Sequence, residues 1–387
     1  MVWLWCSLFG VAVAALAWTY AGYPLAMEVW ARVGPRGHRT GAFGGKAAAL
    51  MASRGEGERL VGKIRELLAL ADAGEPLAEV WAGLDGEGME AVPGLAELAA
   101  GDARVRVLEF AERRGKPSVL NGLMAAAGSG AAPADVFVMM DVRQRIGPGA
   151  AGKLLEAFAD GGVGVASGEL VYETPGGGVQ KGAQSYWSYE KRLRLAESRV
   201  WAVPGATGAF YAIRRELCRP LPPETLDDDV WLPMQAVLAG KRCLFVPGAV
   251  AWDVAEARFD REGRRKLRTL AGNWQLPGLE PRLLSVRGNP IFFRWLFHKM
   301  ARLLTPFWSG LAVASAGALA WCGVGWWRIV FAAMVAGMLL CAASALAARR
   351  VKSRLVGLLG TVWTLHAVLL KAAWIAARGK YEVRWKG

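Results

Sequence analysis

Apolar residues are concentrated at the two ends of the chain, while the middle alternates short apolar runs with amphipathic ones. Residues 2–27 carry no charged side chain, and this length exceeds the roughly 20 residues that a helix needs to cross a bilayer. Near the other end, residues 303–321, 327–347 and 355–376 are three further apolar runs of spanning length. The pattern therefore predicts transmembrane helices at both ends.

The middle of the chain has the pattern of an α/β domain. Four short apolar runs, each of the length of a buried strand, follow one another at residues 47–53, 78–84, 105–110 and 136–140. Helical spacing of apolar residues separates the first two runs, at residues 58–70. Because strands that alternate with helices indicate βαβ units, we predict the fold class α/β, with a Rossmann-like, mostly parallel sheet flanked by helices.

Two of the predicted strands are followed by a carboxylate. Asp85 follows the second run and Asp141 follows the fourth. Ligands of open α/β sheets bind beyond the carboxyl ends of the strands, so we expect the two aspartates at adjacent strand ends, facing a charged ligand or its metal. Each also has a purely structural interpretation, because aspartate commonly begins a turn.

Composition and charge narrow the class of protein. The chain has 387 residues, 54% of them hydrophobic, and a formal net charge of +14. Its basic residues crowd beside the apolar ends, which suits a membrane surface better than nucleic acid, and we expect no nucleic-acid partner. The three histidines are far apart and the five cysteines show no CxxC spacing, which argues against a zinc site.

The basic residues also predict an orientation. Arg32, Arg36, Arg39 and Lys46 follow the first apolar run, so the positive-inside rule places the amino terminus outside and the middle domain in the cytoplasm. With four spans the basic C-terminal tail would lie outside, which conflicts with the same rule. The side of the membrane on which the tail lies is therefore left undecided. The predicted division is a transmembrane helix at 1–30, a linker at 31–46, a cytoplasmic domain at 47–289, an interfacial helix at 290–302, and a membrane region with about three transmembrane helices at 303–387.

A series of short motifs in the middle region carries a family resemblance. The motifs are Gly115-Lys116, Val119-Leu120-Asn121, the strand with Asp141-Val142-Arg143-Gln144, residues 163–170, Tyr189-Glu190-Lys191, Glu197-Ser198, residues 205–209, Asp228-Asp229 and residues 264–273. In their order and spacing they resemble glycosyltransferase family 2, in particular membrane-bound synthases of bacterial polysaccharides, cellulose, hyaluronan and poly-N-acetylglucosamine. The resemblance covers roughly residues 47–302.

That resemblance implies a fold, an activity and a location. The fold is GT-A, and the activity is inverting transfer of a sugar from a nucleotide-diphosphate sugar, with a UDP-sugar as the first expectation. The acceptor is a growing polysaccharide or a lipid-linked glycan, and the cofactor is Mg²⁺ or Mn²⁺. The location is the cell (inner) membrane, in a multi-pass protein that is surrounded by membrane lipids and has a cytoplasmic catalytic domain.

The resemblance also assigns roles to individual residues. It implies a general base at Asp229, with Asp228 beside it, and a metal ligand at Asp141. It implies an acceptor loop that contains Gly205, Thr207 and Gly208. The donor-binding residues that it implies are Asp85, Lys116, Asn121, Asp141, Arg143, Arg265 and Arg268.

The residue types suit this chemistry on physical grounds. Sugar transfer needs neutralised charge on the leaving diphosphate, a base for the attacking hydroxyl and a cleft that excludes water. The oxygens of Asp141 are hard ligands for Mg²⁺ or Mn²⁺, and adjacent carboxylates at 227–229 raise the proton affinity of one of them. Arg265 and Arg268 suit bidentate phosphate binding. The structural alternatives are a solvated helix N-terminus for the acids and a solvated helix face for the arginines.

Two departures from the family pattern leave alternatives open. Arg143 replaces the second acid of the family's Asp-x-Asp motif, as in an Asp-Ala-Arg-Gln variant of one bacterial branch. After Asp85 the chain continues Gly86-Glu87, where the family has Gly-Ser. The alternatives are a polyprenyl-phosphate glycosyltransferase and a non-catalytic, synthase-like subunit.

Overall fold

The structure is a computed structural model, and it describes residues 1–129, 132–173, 178–254, 259–323, 325–348, 351, 353–379 and 381. Three basic positions of the tail, 380, 384 and 386, lie outside these residues, and so does part of the predicted membrane region at 303–387.

Within the described residues, a sheet in the strand order β3-β2-β1-β4-β7-β6-β8-β5 forms the centre of the middle domain. The strands are β1 Ala47–Ser53, β2 Glu79–Asp85, β3 Val105–Phe110, β4 Val136–Met140, β5 Arg145–Ile146, β6 Val163–Glu173, β7 Phe210–Arg214 and β8 Arg242–Val254. The pairs β1–β2, β1–β4, β2–β3 and β6–β8 are parallel, whereas β4–β7, β6–β7 and β5–β8 are antiparallel. The predicted α/β class is confirmed, and β7 and β5 make the sheet mixed.

The expectation that Asp85 and Asp141 end adjacent strands is wrong, because β1 lies between β2 and β4. In a sheet of this kind the first strand takes an inner position and later strands are added on both sides of it. β1 is buried along its whole length, as expected for a strand that is covered on both faces. The two aspartates therefore reach the same edge of the sheet with the end of β1 between them.

Helices cover both faces of this sheet and extend from the domain. The helices are α1 Val2–Val33, α2 Glu58–Asp72, α3 Leu95–Gly101, α4 Lys116–Ala127, α5 Ala150–Leu155, α6 Gly178–Val200, α7 Asp228–Leu238, α8 Phe259–Leu279, α9 Phe292–Leu303, α10 Thr305–Trp321, α11 Gly325–Ala347 and α12 Arg354–Ala377. α2, α3 and α5 bury leucines in the core on one face, and α4 and α7 do so on the other. α6 packs against α1, and α8 packs against α12, so these two helices join the domain to the terminal helices.

The terminal helices have the length and composition of membrane spans. Among the described residues, Val2–Val33, Gly325–Ala347 and Leu355–Ala377 are long and apolar enough to cross a membrane. α9 and α10 form a fourth candidate if the pair counts as one span, although a bend of 61° separates them. The run predicted at 303–321 thus begins as a new helix at Thr305.

α9 lies where an interfacial helix was predicted, but its polar side chains face the protein. Arg294 and His298 are buried, and His298 Nε2 lies 2.7 Å from Glu190 Oε1 on α6. Arg302 Nη1 donates to Glu190 Oε2 over 2.7 Å. The mixture of aromatic and basic residues therefore reflects the packing of α9 on α6 as well as its position beside the candidate spans.

Candidate active site

Lys116 holds two carboxylates together at the edge of the sheet. Its Nζ lies 3.0 Å from Asp141 Oδ1 and 3.2 Å from Asp228 Oδ2. Asp141 follows β4, Asp228 begins α7 and Lys116 begins α4, so three elements converge on one cation. Burial opposes the charge of Lys116, but Asp141 and Asp228 raise its pKa above the usual range, and the ammonium group persists at neutral pH.

Asp85 fixes the backbone from which Lys116 projects. Its Oδ1 accepts a hydrogen bond from Arg114 N over 2.6 Å, and its Oδ2 accepts one from Gly115 N over 3.1 Å. Gly115 has φ +84°, in the left-handed region that favours glycine. The carboxylate thus fixes the turn that leads into α4, whose first residue is Lys116. The predicted contact of Asp85 with the donor stays a prediction beside this structural role.

Asp141 is the accessible acid of the cluster. Its side chain is 39% exposed. Burial would raise the pKa of Asp141, but Lys116 first, then Arg143 and Arg268, lower it below the usual value. Asp141 therefore offers an ionised oxygen to the cleft at neutral pH.

Asp229 faces the predicted acceptor loop. Its Oδ2 accepts a hydrogen bond from Gly208 N over 2.9 Å, and its main-chain oxygen accepts one from Ala206 N over 2.8 Å. A Cβ atom at position 208 would lie 2.7 Å from Asp229 Oδ2, so a glycine is needed for this approach. Burial first, and then Asp228, raise the pKa of Asp229. A carboxylate with increased proton affinity suits a general base.

The predicted acceptor loop is supported by β6 and α6. Ser167 Oγ accepts hydrogen bonds from Thr207 N and from Arg194 Nη2, each over 2.9 Å. Arg194 Nη2 also donates to Gly205 O over 3.2 Å, and Gly205 has φ +124°. The sequence motifs located the loop at 205–208. Ser167 lies in the motif at 163–170, but no motif assigned a role to it or indicated Arg194, because both roles depend on long-range packing.

Asp227 is turned away from the cleft. It is buried, and its Oδ2 accepts a hydrogen bond from Asn273 Nδ2 over 3.1 Å. A Cβ atom at Gly272 would lie 2.5 Å from its carboxyl carbon, so α8 packs closely on this group. Burial first, and then Asp229, raise the pKa of Asp227 well above its usual value. These contacts favour a structural role for Asp227.

Arg143 and Arg265 share a buried partner that the sequence analysis missed. Arg143 Nη2 lies 2.8 Å from Asp253 Oδ2 and Arg265 Nη1 lies 3.6 Å from the same oxygen. Arg265 also donates to the Tyr172 hydroxyl over 2.8 Å. Arg143 and Asp253 are 110 positions apart in the chain, and the pairing of β5 with β8 brings them together. Two of the three predicted donor-binding arginines are thus anchored on one carboxylate.

The two remaining predicted donor-binding residues differ in their surroundings. Arg268 Nη2 donates to Leu226 O over 3.4 Å, and its charge contributes to the lowered pKa of Asp141, which places it near the cleft. Asn121 uses both ends of its amide on Leu221, since Nδ2 donates to Leu221 O and Oδ1 accepts from Leu221 N, each over 2.8 Å. A donor contact of Asn121 stays a prediction, because its present contacts tie α4 to the segment before α7.

Tyr211 is a further polar group beneath the acids that no motif indicated. It lies on β7 and is buried, and its hydroxyl has no hydrogen-bond partner among the described residues. Burial first, and then Asp228 and Asp229, raise the pKa of Tyr211 well above its usual value. The neutral hydroxyl is therefore a hydrogen-bond donor in the field of the acid cluster.

The acids fit a metal that arrives with its ligand. Among the described residues there is no group of three or more His, Cys, Asp and Glu side chains that would hold an ion alone. Mg²⁺ is commonly bound by one or two carboxylates together with substrate phosphates and water. The exposed, ionised Asp141 meets that requirement for one carboxylate, so a metal shared with a diphosphate fits these residues.

Comparisons with known proteins place this site in context. The sequence profile described as glycosyl transferase family group 2 matches residues 136–375, more than half of the chain, and that of glycosyl transferase family 2 matches residues 50–221. No curated protein matches the sequence.

Solved structures are similar to the whole chain or to part of it. Mannosyltransferase PcManGT from Pyrobaculum calidifontis, solved with GDP-Man and Mn²⁺, is 19% identical with a TM-score of 0.72, covering 96% of this chain and 99% of that one. Mannosyl-3-phosphoglycerate synthase from Rubrobacter xylanophilus is 17% identical with a TM-score of 0.41, over 64% and 78% of the two chains. At 19% identity, the similarity to the mannosyltransferase establishes the fold alone. The similarity to the synthase carries no further argument.

Proposed function

The chain belongs to glycosyl transferase family group 2 and is a glycosyltransferase, and from that premise we propose that it is a membrane-bound, inverting enzyme. It transfers a sugar from a nucleotide-diphosphate sugar to a growing polysaccharide or a lipid-linked glycan. The observation that carries the proposal is the pairing of Lys116 with Asp141 and Asp228, next to Asp229 at the glycine loop. This arrangement supplies a cation for the leaving group and a separate acid for the acceptor.

The donor diphosphate binds at the Asp141 side of the cleft. Lys116 and Arg268 provide positive charge there, and Arg143 and Arg265 border it from their anchor on Asp253. Charge that develops on the leaving diphosphate is stabilised by such preorganised groups. A divalent cation bound by Asp141 together with the diphosphate adds Lewis-acid stabilisation of that charge. The similar mannosyltransferase was solved with GDP-Man and Mn²⁺, so GDP-sugars belong beside UDP-sugars in any test of the donor.

The acceptor hydroxyl is activated by Asp229. Its raised pKa brings it closer to the operating pH, which makes proton transfer from the attacking hydroxyl more favourable. The hydrogen bond from Gly208 N orients one carboxylate oxygen, and the loop that starts at Gly205 forms the wall against which the acceptor lies. Attack from this side, opposite the leaving diphosphate, inverts the anomeric configuration.

The terminal helices place this chemistry at a membrane. Three or four candidate spans flank the domain, and the basic residues after α1 favour a cytoplasmic domain. An acceptor that remains bound to the membrane, either a growing chain or a lipid-linked glycan, then reaches the loop from the side of α9.

Product analysis tests the proposal. Purified full-length protein is incubated with Mn²⁺, a panel of labelled UDP- and GDP-sugars and a membrane extract from its source. The expected result is time-dependent transfer from one donor into polymer or lipid-extractable material, and its loss in Asp141→Asn. Products in the lipid phase that require added polyprenyl phosphate would assign the alternative acceptor. Donor binding with no transfer in any fraction would favour a non-catalytic subunit.

A further inference from the structure

A buried arginine without an acidic partner lies where the first helix meets the domain. Arg294, on α9, is 8% exposed. Its Nε has no hydrogen-bond partner, and among the described residues no carboxylate lies within ion-pair distance of its guanidinium group. An unpaired buried charge is costly, so a compensating anion is expected at this position.

Glu197, the acid whose charge acts on Arg294, already bonds other groups. Glu197 is fully buried, and its Oε1 accepts a short hydrogen bond from the Tyr23 hydroxyl. Both of its oxygens lie 2.9 Å from His298 Nδ1. Glu197 therefore bonds Tyr23 and His298 directly and acts on Arg294 only from a distance.

Further positive charge surrounds Arg294. Burial lowers the pKa of Arg242, and the guanidinium charges of Arg36 and Arg294 lower it further, whereas Asp160 acts to raise it. The guanidinium group of Arg242 donates hydrogen bonds to main-chain oxygens, among them those of Arg36 over 3.0 Å and Gly37 over 2.7 Å. Arg36 itself is exposed, so the local excess of positive charge opens towards the surface at the end of α1.

A shallow, apolar groove of about 620 Å³ runs along one face of α1 and lies beside this charge at Trp30. The groove is lined by Trp18, Gly22, Leu25, Ala26, Val29, Trp30 and Val33. The guanidinium carbon of Arg294 lies 5.6 Å from the ring centre of Trp30, at the end of the groove. Phe297 of α9 packs edge-on against Trp18 at 5.6 Å between ring centres. Two aromatic residues of the groove, Trp18 and Trp30, therefore contact α9, and Trp30 lies next to the buried cation.

We infer that this site binds one anionic phospholipid of the surrounding bilayer, with its phosphate at Arg294 and Arg36 and one acyl chain along the α1 groove. Basic pockets between membrane helices on the cytoplasmic side bind anionic headgroups in this way. Arg294 lies on the side of α9 that faces Glu197 and Tyr23, whereas Asp229 and the predicted acceptor loop at Gly208 lie together at the catalytic cleft. The lipid thus joins α1 to the domain and is not the acceptor.

The test uses delipidated, full-length protein in detergent and does not depend on turnover. Melting temperature is measured with added phosphatidylglycerol, phosphatidylcholine or inorganic phosphate, and native mass spectrometry counts the retained lipid. We expect one phosphatidylglycerol per chain and a higher melting temperature with that lipid alone, since a ligand that binds only the folded state stabilises it. An equal shift with phosphatidylcholine, or the full shift with inorganic phosphate, overturns the inference.

Two substitutions separate lipid binding from a structural role of the arginine. Arg294→Gln is expected to weaken phosphatidylglycerol binding by about tenfold or more, since a charge-assisted contact is worth at least that factor. Without lipid it should melt no lower than the wild type, because it removes an unpaired charge. Arg32→Gln, the matched control, changes a side chain that is 68% exposed and pairs with Glu28, and it should keep the lipid effect.

Other outcomes contradict the inference. An Arg294→Gln protein that keeps the phosphatidylglycerol shift shows that the arginine does not bind the headgroup. A variant that melts lower even without lipid shows a structural role. Displacement of phosphatidylglycerol by polyprenyl phosphate that then becomes glycosylated identifies the site as the acceptor site. If the variant does not fold, Val29→Phe, which narrows the groove and leaves Arg294 in place, should still abolish the lipid effect, and its failure to do so is contradictory.

Discussion

The ammonium group of Lys116 lies 3.0 Å from Asp141 Oδ1, so a lysine at the start of a helix neutralises the carboxylate that is best placed to receive a metal. Asp85 holds the backbone at Arg114 and Gly115 from which this lysine projects. Asp85 and Asp141 do not end adjacent strands, but the start of α4 connects them. Because Lys116 projects from that point, the charge at Asp141 depends on Lys116.

The first prediction concerns the pH dependence of Lys116→Met. Lys116 lowers the pKa of Asp141 and also acts to lower that of the proposed base Asp229, so its removal should raise both pKa values and move the acidic limb of the pH–rate profile to higher pH. The maximum rate should also fall by about 10²-fold or more, the usual effect of losing one electrostatic contact to the transition state. The measurement is transfer rate against pH, with Lys116→Arg as the variant that keeps the charge. An acidic limb that stays in place in Lys116→Met would show that Lys116 controls the ionisation of neither acid.

The second prediction concerns the close approach of Gly208 and Asp229. In Gly208→Ala the new Cβ atom would lie 2.7 Å from Asp229 Oδ2, so the carboxylate must move or the loop must shift. We expect a large loss of turnover with donor affinity unchanged, because the diphosphate binds on the Asp141 side. Gly62→Ala on α2, where the added atom meets nothing within 4 Å, is the control and should remain fully active. Equal turnover in the two variants would show that the close approach of Gly208 to Asp229 is not needed for catalysis.

The third prediction concerns the metal. Asp141→Asn keeps the shape of the side chain but removes its charge, so transfer should be abolished and Mn²⁺ binding in the presence of nucleotide diphosphate should be lost. Arg143→Asp introduces a second oxygen ligand, but it also places an acid against the buried Asp253. The Arg143→Asp, Asp253→Asn double variant relieves that repulsion and should retain or strengthen Mn²⁺ dependence. Wild-type turnover in Asp141→Asn would mean that the motif assignment is wrong.

The fourth prediction concerns topology. Glu97 is exposed on α3, and a cysteine there should react with a membrane-impermeant thiol reagent only after the cells are permeabilised. Cys322 is exposed between α10 and α11, on the side predicted to face outwards, and it serves as an internal control that reacts in intact cells. Labelling is located by mass spectrometry of peptides. Rapid labelling at position 97 and protection of Cys322 would reverse the orientation.

Much of the domain was predictable because its strands are buried and short. The runs at 47–53 and 136–140 coincide with β1 and β4, since a strand that is covered on both faces must be apolar throughout. The run at 105–110 coincides with β3, an edge strand that is only partly buried. Likewise, Trp231 and Met234 lie on the buried side of α7, as helical spacing after Asp229 predicts.

What the sequence could not predict depends on contacts between distant segments. The partner of Arg143 is Asp253, and only the β5–β8 pairing brings them together. The position of β1 between β2 and β4 is a property of topology and is not written in any single motif. The type of a polar residue also does not reveal what it binds. Asn121 bonds the main chain, whereas the Nε atom of Arg294 has no partner among the described residues.

The central claim is that Asp229 is the base of a nucleotide-sugar transferase, and its most direct test compares transfer rate and donor affinity in Asp227→Asn, Asp228→Asn and Asp229→Asn. Base catalysis typically contributes about 10²–10⁴-fold, so Asp229→Asn should lose a factor of that order while donor affinity survives. Asp228→Asn should lose donor affinity as well, because Asp228 pairs with Lys116. Asp227→Asn should cost little, because the raised pKa of Asp227 and its bond to Asn273 favour an uncharged, structural group. An essential Asp227 with a dispensable Asp229 would contradict the assignment, as would equal loss of donor binding in all three variants.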